Sequence, residues 1–173
     1  MSLESTLRVL NGMRDAGVIG KYAIGGAVAA FFYIEPGTTF DLDIFIVWEP
    51  EPGGLLNLGP IYEYLAARGC EPRREGVMIE GWEVQFLPTG TPLEAEALRE
   101  AVDIEIGGVP TRLFTQEHLM AICLQTGRPK DFARLVQFVE EGQPDEARLG
   151  AILSRFTLEE KWASFRHRFL TSP

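Results

Sequence analysis

Between Phe40 and Val47 the chain alternates strictly, with Leu42, Ile44 and Ile46 on one parity and Asp41, Asp43 and Phe45 on the other. A period of two belongs to a β-strand, whose successive side chains point to opposite faces. This strand must therefore bury one face and carry two carboxylates at the head of the other. Same-face neighbours have α-carbons ~6.6 Å apart, given the rise of a strand. Two like charges at that distance repel by roughly 2 to 3 kcal/mol at the effective dielectric of a protein surface. Two readings stay open from the pattern alone: an edge strand that shows both acids to water, or a pair bridged by a cation.

Upstream, Tyr22-Ala23-Ile24 runs into Gly25-Gly26, and the apolar Ala27 to Phe32 follows at once until Pro36-Gly37. The pattern predicts a short strand, a tight turn and a buried helix. Glycine permits positive φ and leaves no β-carbon between backbone and ligand, and a helix start offers free N–H groups to an anion. The pair reads as a phosphate seat or, equally simply, as close packing of helix on strand.

The remaining elements follow from periodicity and punctuation. Leu3, Leu7, Leu10 and Met13 form one stripe of a helix over Ser2 to Ala16, ended by Gly17. A Pro/Gly-rich turn is expected at Glu49 to Gly54, a helix over Leu58 to Gly69, and a hairpin of Val77–Ile79 and Trp82–Leu87 across Glu80-Gly81. Leu93 to Ala101 reads as a short helix, and Val102–Ile106 with Val109–Phe114 as a second hairpin through Gly107-Gly108. Beyond Phe114 everything is helical. Thr115 caps a helix through Leu124, Pro129 and Pro144 open two more, and Phe156 to Glu160 has the composition of an N-cap before a last helix bearing Trp162, Phe165 and Phe169. The expected organisation is an α/β core over residues 1–114 and a helical region over 115–173 packed on it.

Composition narrows the function classes. At 173 residues, 46% hydrophobic and 24% charged, the chain can bury one domain-sized core. The longest apolar run, Ala27 to Ile34, is far short of the ~20 residues of a membrane span. No secretory signal is readable in the first residues, so the cytoplasm is the expected compartment. Cys70 and Cys123 suggest neither a disulfide framework nor a zinc site, and His118 and His167 read as isolated surface or cap residues. Any metal would be held by oxygen. A net charge of −9 disfavours broad attraction to nucleic acid, though Arg73-Arg74, the set Arg128, Lys130 and Arg134, and Arg166-His167-Arg168 offer local basic groups.

The string GGAVAAFFY, followed after a short loop by TTFDLDIFIV, resembles the Gly-Gly plus Asp-x-Asp signature of the polymerase-β-like nucleotidyltransferases. LFTQEHLMAICLQTGRPKDFARL is similar to the helical segment of AbiEii-type and related small bacterial nucleotidyltransferases. Together the matches run from Tyr22 to Leu135. The resemblance implies an α+β fold, with a nucleotidyltransferase-like mixed β-sheet, flanking helices and a C-terminal helical bundle. It implies Mg²⁺ or Mn²⁺ held by Asp41 and Asp43, and a nucleoside triphosphate held by Gly25, Gly26, Thr39, Arg128 and Lys130. The expected reaction is transfer of a nucleoside monophosphate to an acceptor hydroxyl on a tRNA, a protein or a small molecule. A cognate antitoxin is a possible partner, and no membrane partner is expected.

Two departures from the pattern matter. Such families add a third carboxylate from a neighbouring strand, and here the matching position is Gln85, which offers a neutral oxygen to a metal but accepts no proton. Glu83, on the same face of that strand, is the expected substitute in catalysis. Cys123 stands where relatives commonly carry a lysine. These departures leave a second reading, a degenerate member that binds nucleotide or a partner protein without chemistry.

Overall fold

The computed structural model describes residues 2–47 and 57–170, so the turn expected at Glu49 to Gly54 lies outside the described residues. In chain order the elements are α1 (Leu3–Asp15), β1 (Tyr22–Ile24), α2 (Gly26–Ala30), β2 (Asp41–Ile46), α3 (Gly59–Ala66), β3 (Glu71–Pro72), β4 (Val77–Ile79), β5 (Trp82–Pro88), α4 (Pro92–Arg99), β6 (Val102–Ile106), β7 (Val109–Leu113), α5 (Gln116–Thr126), α6 (Pro129–Glu140), α7 (Glu146–Arg155) and α8 (Glu159–Phe169). The strands form one mixed sheet in the order β3-β4-β5-β2-β1-β7-β6. The α+β fold expected from the sequence is the fold observed.

Its centre is built by local rules. The period-two segment became β2, which pairs antiparallel with β1 and parallel with β5. Leu42, Ile44 and Ile46 are buried on one face, while Asp41 is exposed and Asp43 half-buried on the other. The predicted hairpins formed where two-residue turns with positive φ allow them, at Glu80-Gly81 and Gly107-Gly108. Helix α1 crosses the sheet: the Thr6 hydroxyl donates to the Ile79 carbonyl at 3.0 Å, and Asn11 Nδ2 donates to the Pro110 carbonyl at 2.9 Å.

Several elements differ from expectation. The helix expected over Ala27 to Phe32 closes after one α-turn. Phe32 and Tyr33 then bond back to Ala29 and Ala30 with tighter spacing, and the Tyr33 hydroxyl is tied to the Phe114 carbonyl at 2.9 Å. Helix α3 is shorter than predicted, and β3, two residues long, has no sequence signal. Thr157 does not cap α8. It takes a positive φ of 57°, and Leu158 occupies the cap position with no side-chain bond.

Helix α5 is apolar or buried on nearly every side and packs against α2, α4, α6, α7 and α8. It is the spine that joins the helical region to the sheet. His118, in its first turn, is fully buried, which corrects the reading of it as a surface or cap residue. The ring places Nδ1 2.8 Å from the Thr115 hydroxyl and Nε2 3.3 Å from Glu96 Oε1. Glu96 also pairs with Arg155, so one carboxylate links α4, α5 and α7. Among the described residues no helix is long and apolar enough to cross a membrane.

Burial holds His118 below its ordinary value of 6.5, against the pull of Glu96 and Glu100. An imidazole that resists protonation only when folded lets the unfolded chain bind the extra proton. Stability is then fully present above 6.5 and declines as pH falls from there towards the lower folded value. Urea titrations across that window are expected to show this decline, and His118→Gln to flatten it.

Candidate active site

Strand β2 places Asp41 and Asp43 on one face, and its parallel pairing with β5 sets Asp41 beside Glu83 and Asp43 beside Gln85. The diglycine turn leaves β1 on the other side of β2. Gly25 N–H donates to the Asp43 carbonyl at 3.0 Å, and Gly26 takes φ +58°. A β-carbon on Gly26 would lie 1.7 Å from Asp43 Oδ2 and 2.7 Å from its Cγ. One on Gly25 would lie 2.5 Å from the Phe45 ring. Both glycines are therefore required by contact with β2, and at Gly26 the contact is the carboxylate itself. The acids and the turn, joined in the sequence only by a motif, share one site.

That site is a cleft of about 570 Å³. Its floor includes Gly26, Asp41, Asp43 and Gln85, Thr38 and Thr39 line the loop before β2, and Cys123, Arg128, Lys130, Asp131 and Arg134 form the wall from α5 and α6. Gly25 and Glu83 are not among the lining residues. The carboxyl of Asp43 is raised above its ordinary value first by burial and then by the Asp41 charge, opposed by Arg134, Lys130 and Arg128. Paired acids disfavoured in this way call for a cation, and the available donors are all oxygens of carboxylates and an amide. Hard divalent ions such as Mg²⁺ and Mn²⁺ fit that set.

The cations across the cleft differ in what they already do. Arg128 is held by the buried Asp131, with Nε to Oδ2 at 2.7 Å and Nη2 to Oδ1 at 3.2 Å, and this bond raises its own pKa. Among the described residues neither Lys130 nor Arg134 forms a close ion pair, and both charges act across the cleft on Asp43. Arg134 lies against Cys123, but burial dominates and pushes that thiol up to about 11. Cys123 is therefore a neutral wall residue, and the cations that act on Asp43 stand at the start and first turns of the next helix. Arg134 was a sequence candidate for this role; Thr38 and Glu75, which also line the cleft, were not. Glu75 lies in the loop before β4 and belongs to no periodic segment, so only the folded chain brings it here.

Other groupings have less chemical content. Glu96, Glu100 and His118 bring ligand atoms within 4.8 Å of one another. Arg155 and Arg99 pair with Glu96, and Arg148 and Arg99 with Glu100, so the two carboxylates are already neutralised. A larger cavity of about 950 Å³ beside β6 and β7 is lined by Arg14, Arg99 and Arg112, all three engaged by neighbouring acids.

The fold is nucleotidyltransferase-like. An antigenic nucleotidyltransferase-like protein from Paracoccidioides brasiliensis aligns over 95% of this chain and 93% of its own, with a TM-score of 0.51 and 15% identity. The solution structure of the antibiotic-resistance factor ANT(2'')-Ia aligns over 96% and 92%, with a TM-score of 0.48 and 15% identity. The crystal structure of ANT(2'')-Ia in complex with adenylyl-2''-tobramycin aligns over 94% and 98%, with a TM-score of 0.42 and 17% identity. At 15% identity the likeness to the Paracoccidioides protein is one of fold alone. No family model and no curated protein matches the sequence.

Two consequences follow from the Gly26–Asp43 contact. Gly26→Ala is expected to lower the unfolding free energy by ~1 to 3 kcal/mol in urea, because the new methyl displaces Asp43 and the residue keeps a left-handed φ. Asp43→Asn is expected to act oppositely without divalent ions. A carboxyl whose folded pKa is raised stabilises the fold fully only below its unfolded value, 3.8, and loses this as pH rises through the folded value. The Tm of Asp43→Asn should exceed that of the parent at pH 7, and the difference should vanish below pH 3.8.

Proposed function

We propose that this chain is a nucleotidyltransferase that moves a nucleoside monophosphate from a nucleoside triphosphate to an acceptor hydroxyl, with Mg²⁺ or Mn²⁺. The observation that supports it best is the contact of Gly26 with the Asp43 carboxylate, which puts a backbone without side chains, paired acids and unpaired cations around one cleft. Asp41 and Asp43 hold the metal, with the Gln85 amide oxygen beside them. The ion, when bound, neutralises phosphate charge and the charge that develops on the entering and leaving oxygens.

The chain's own groups do the rest. Gly26 lets the triphosphate approach the backbone while Gly25 packs against the Phe45 ring, and the Thr39 hydroxyl, 3.4 Å from the Asp41 backbone, lines the same cleft. Lys130 and Arg134 face the acids and balance the charge of the departing pyrophosphate. Arg128, fixed by Asp131, supplies a guanidinium that is preorganised rather than searching for its partner. The acceptor oxygen bonds to the α-phosphorus as the bond to pyrophosphate breaks, and the hydroxyl proton leaves to solvent at the cleft mouth. Glu83, half-buried beside Asp41, accepts from the Glu75 backbone N–H at 3.5 Å and does not line the cleft, so it acts at most by positioning that loop.

For the acceptor, a net charge of −9 favours a small molecule or a protein over tRNA. The AbiEii-type assignment, with a cognate antitoxin, rests on the segment Leu113 to Leu135 alone. A second reading is favoured by Gln85: a member of the fold that binds nucleotide without turning it over.

Incubation with each of the four labelled triphosphates and Mg²⁺ is expected to release pyrophosphate with at least one of them. Asp41→Ala should reduce the rate by about 10²-fold, the scale of removing one preorganised electrostatic group from a reacting site. Tight triphosphate binding with no pyrophosphate from any of the four would decide for the binding protein.

A further inference from the structure

We propose that a groove between α8 and the turn joining α5 to α6 binds a small molecule made of a flat aromatic ring and an anionic group. The inference goes beyond the nucleotidyl-transfer reading and does not depend on it. It is carried by the way aromatic rings and cations share one face of the last helix.

The groove has a volume of about 520 Å³ and borders the catalytic cleft at Thr126, which lines both. Such a volume lies within the range of sites that enclose small organic ligands. One side is aromatic. Phe132 of α6 meets Phe165 and Phe169 of α8 with ring centroids 6.0 and 5.4 Å away, and the last two are 5.3 Å apart. Their planes differ by 21 to 35°, so the rings form one layer. Phe165 is buried, Phe132 half-buried and Phe169 39% exposed, which carries that layer from the core out to solvent. Aromatic surface of this kind pairs favourably with a further flat ring.

The charges stand on the same helix. Lys161, Phe165 and Arg168 follow the spacing of one helical face, and the two cations are about 10 Å apart along its axis, given the rise of a helix. Lys161 Nζ is anchored by a neutral partner, the Gln125 carbonyl at 3.3 Å, and the Arg168 guanidinium lies 5.0 Å from the Phe169 ring centre. Among the described residues neither cation forms a close ion pair. Glu160 is the acid among the lining residues, so two positive charges face one negative on a chain whose net charge is −9. A wholly apolar ligand would desolvate Lys161 and Arg168 without replacing their water, and a wholly polar anion would leave Phe169 exposed. A ring bearing a carboxylate, sulfonate or phosphate satisfies both sides of the groove.

The test is fluorescence titration of the full chain with anilinonaphthalene sulfonate, an aromatic anion, and with phenylnaphthylamine, its neutral counterpart, with thermal melts to confirm folding. The anion is expected to bind the parent about tenfold more tightly than the neutral probe, the scale of one charge-assisted contact. Arg168→Gln and Lys161→Gln should narrow that gap, and Phe169→Ala should weaken both probes. Lys130→Gln, on the wall of the catalytic cleft, should bind the anion as the parent does. Equal affinity of the parent for the two probes would reduce the groove to an apolar patch and overturn the proposal. Loss of the anion in Lys130→Gln with none in Arg168→Gln would place the probe in the cleft and overturn it too. Neither result touches nucleotidyl transfer, which is read by pyrophosphate release.

Discussion

A missing β-carbon at Gly26 is the condition on which this site depends. The α-carbon lies where an alanine methyl would overlap the Asp43 carboxylate, and the backbone there takes a left-handed φ. Glycine alone satisfies both demands without strain. The same contact that packs α2 onto β2 also buries one of two neighbouring acids, so close packing and electrostatic tension arise together. Of the two explanations of the glycine pair in the sequence, close packing of helix on strand is the one seen directly at Gly26.

The tension at Asp43 is answered from the opposite wall. Burial and Asp41 disfavour its charge, while Arg134, Lys130 and Arg128 favour it. These cations stand on α6, whose place is set by α5. Since α5 is buried on almost every side, the helical region is no loose appendage: it carries one wall of the cleft. The Glu96–His118–Arg155 joint fixes α4 and α7 to the same helix. The rigid spine thus determines how far the basic wall stands from the acidic floor.

Much of the fold was legible because its signals are local. Leu42, Ile44 and Ile46 define a strand by alternation, and Gly107-Gly108 permits a two-residue hairpin turn wherever it occurs in a chain. The joined Gly-Gly and Asp-x-Asp strings gave the adjacency of Gly26 and Asp43 before any coordinates, through resemblance. What failed was decided at a distance. Tyr33 is bound to the Phe114 carbonyl, far along the chain, as α2 ends early. His118 looks like any polar residue in a first helical turn until Glu96 and Arg155 close over it. Glu75 lies among Arg73, Arg74 and Gly76 with no periodicity to mark it, and it enters the cleft only because its turn packs on Val84.

The sequence by itself therefore determined the elements, the mixed α+β class and the pairing of the two aspartates, because periodicity and turn chemistry act over a few residues. The tertiary structure alone decided which other charges face those acids: Lys130 and Arg134, without close ion pairs among the described residues, Arg128 held by Asp131, Glu75 in the cleft and Glu83 outside it. Such choices depend on strand register and on how helices stack. Charge–charge energies depend on separation in space, and sequence distance does not report that.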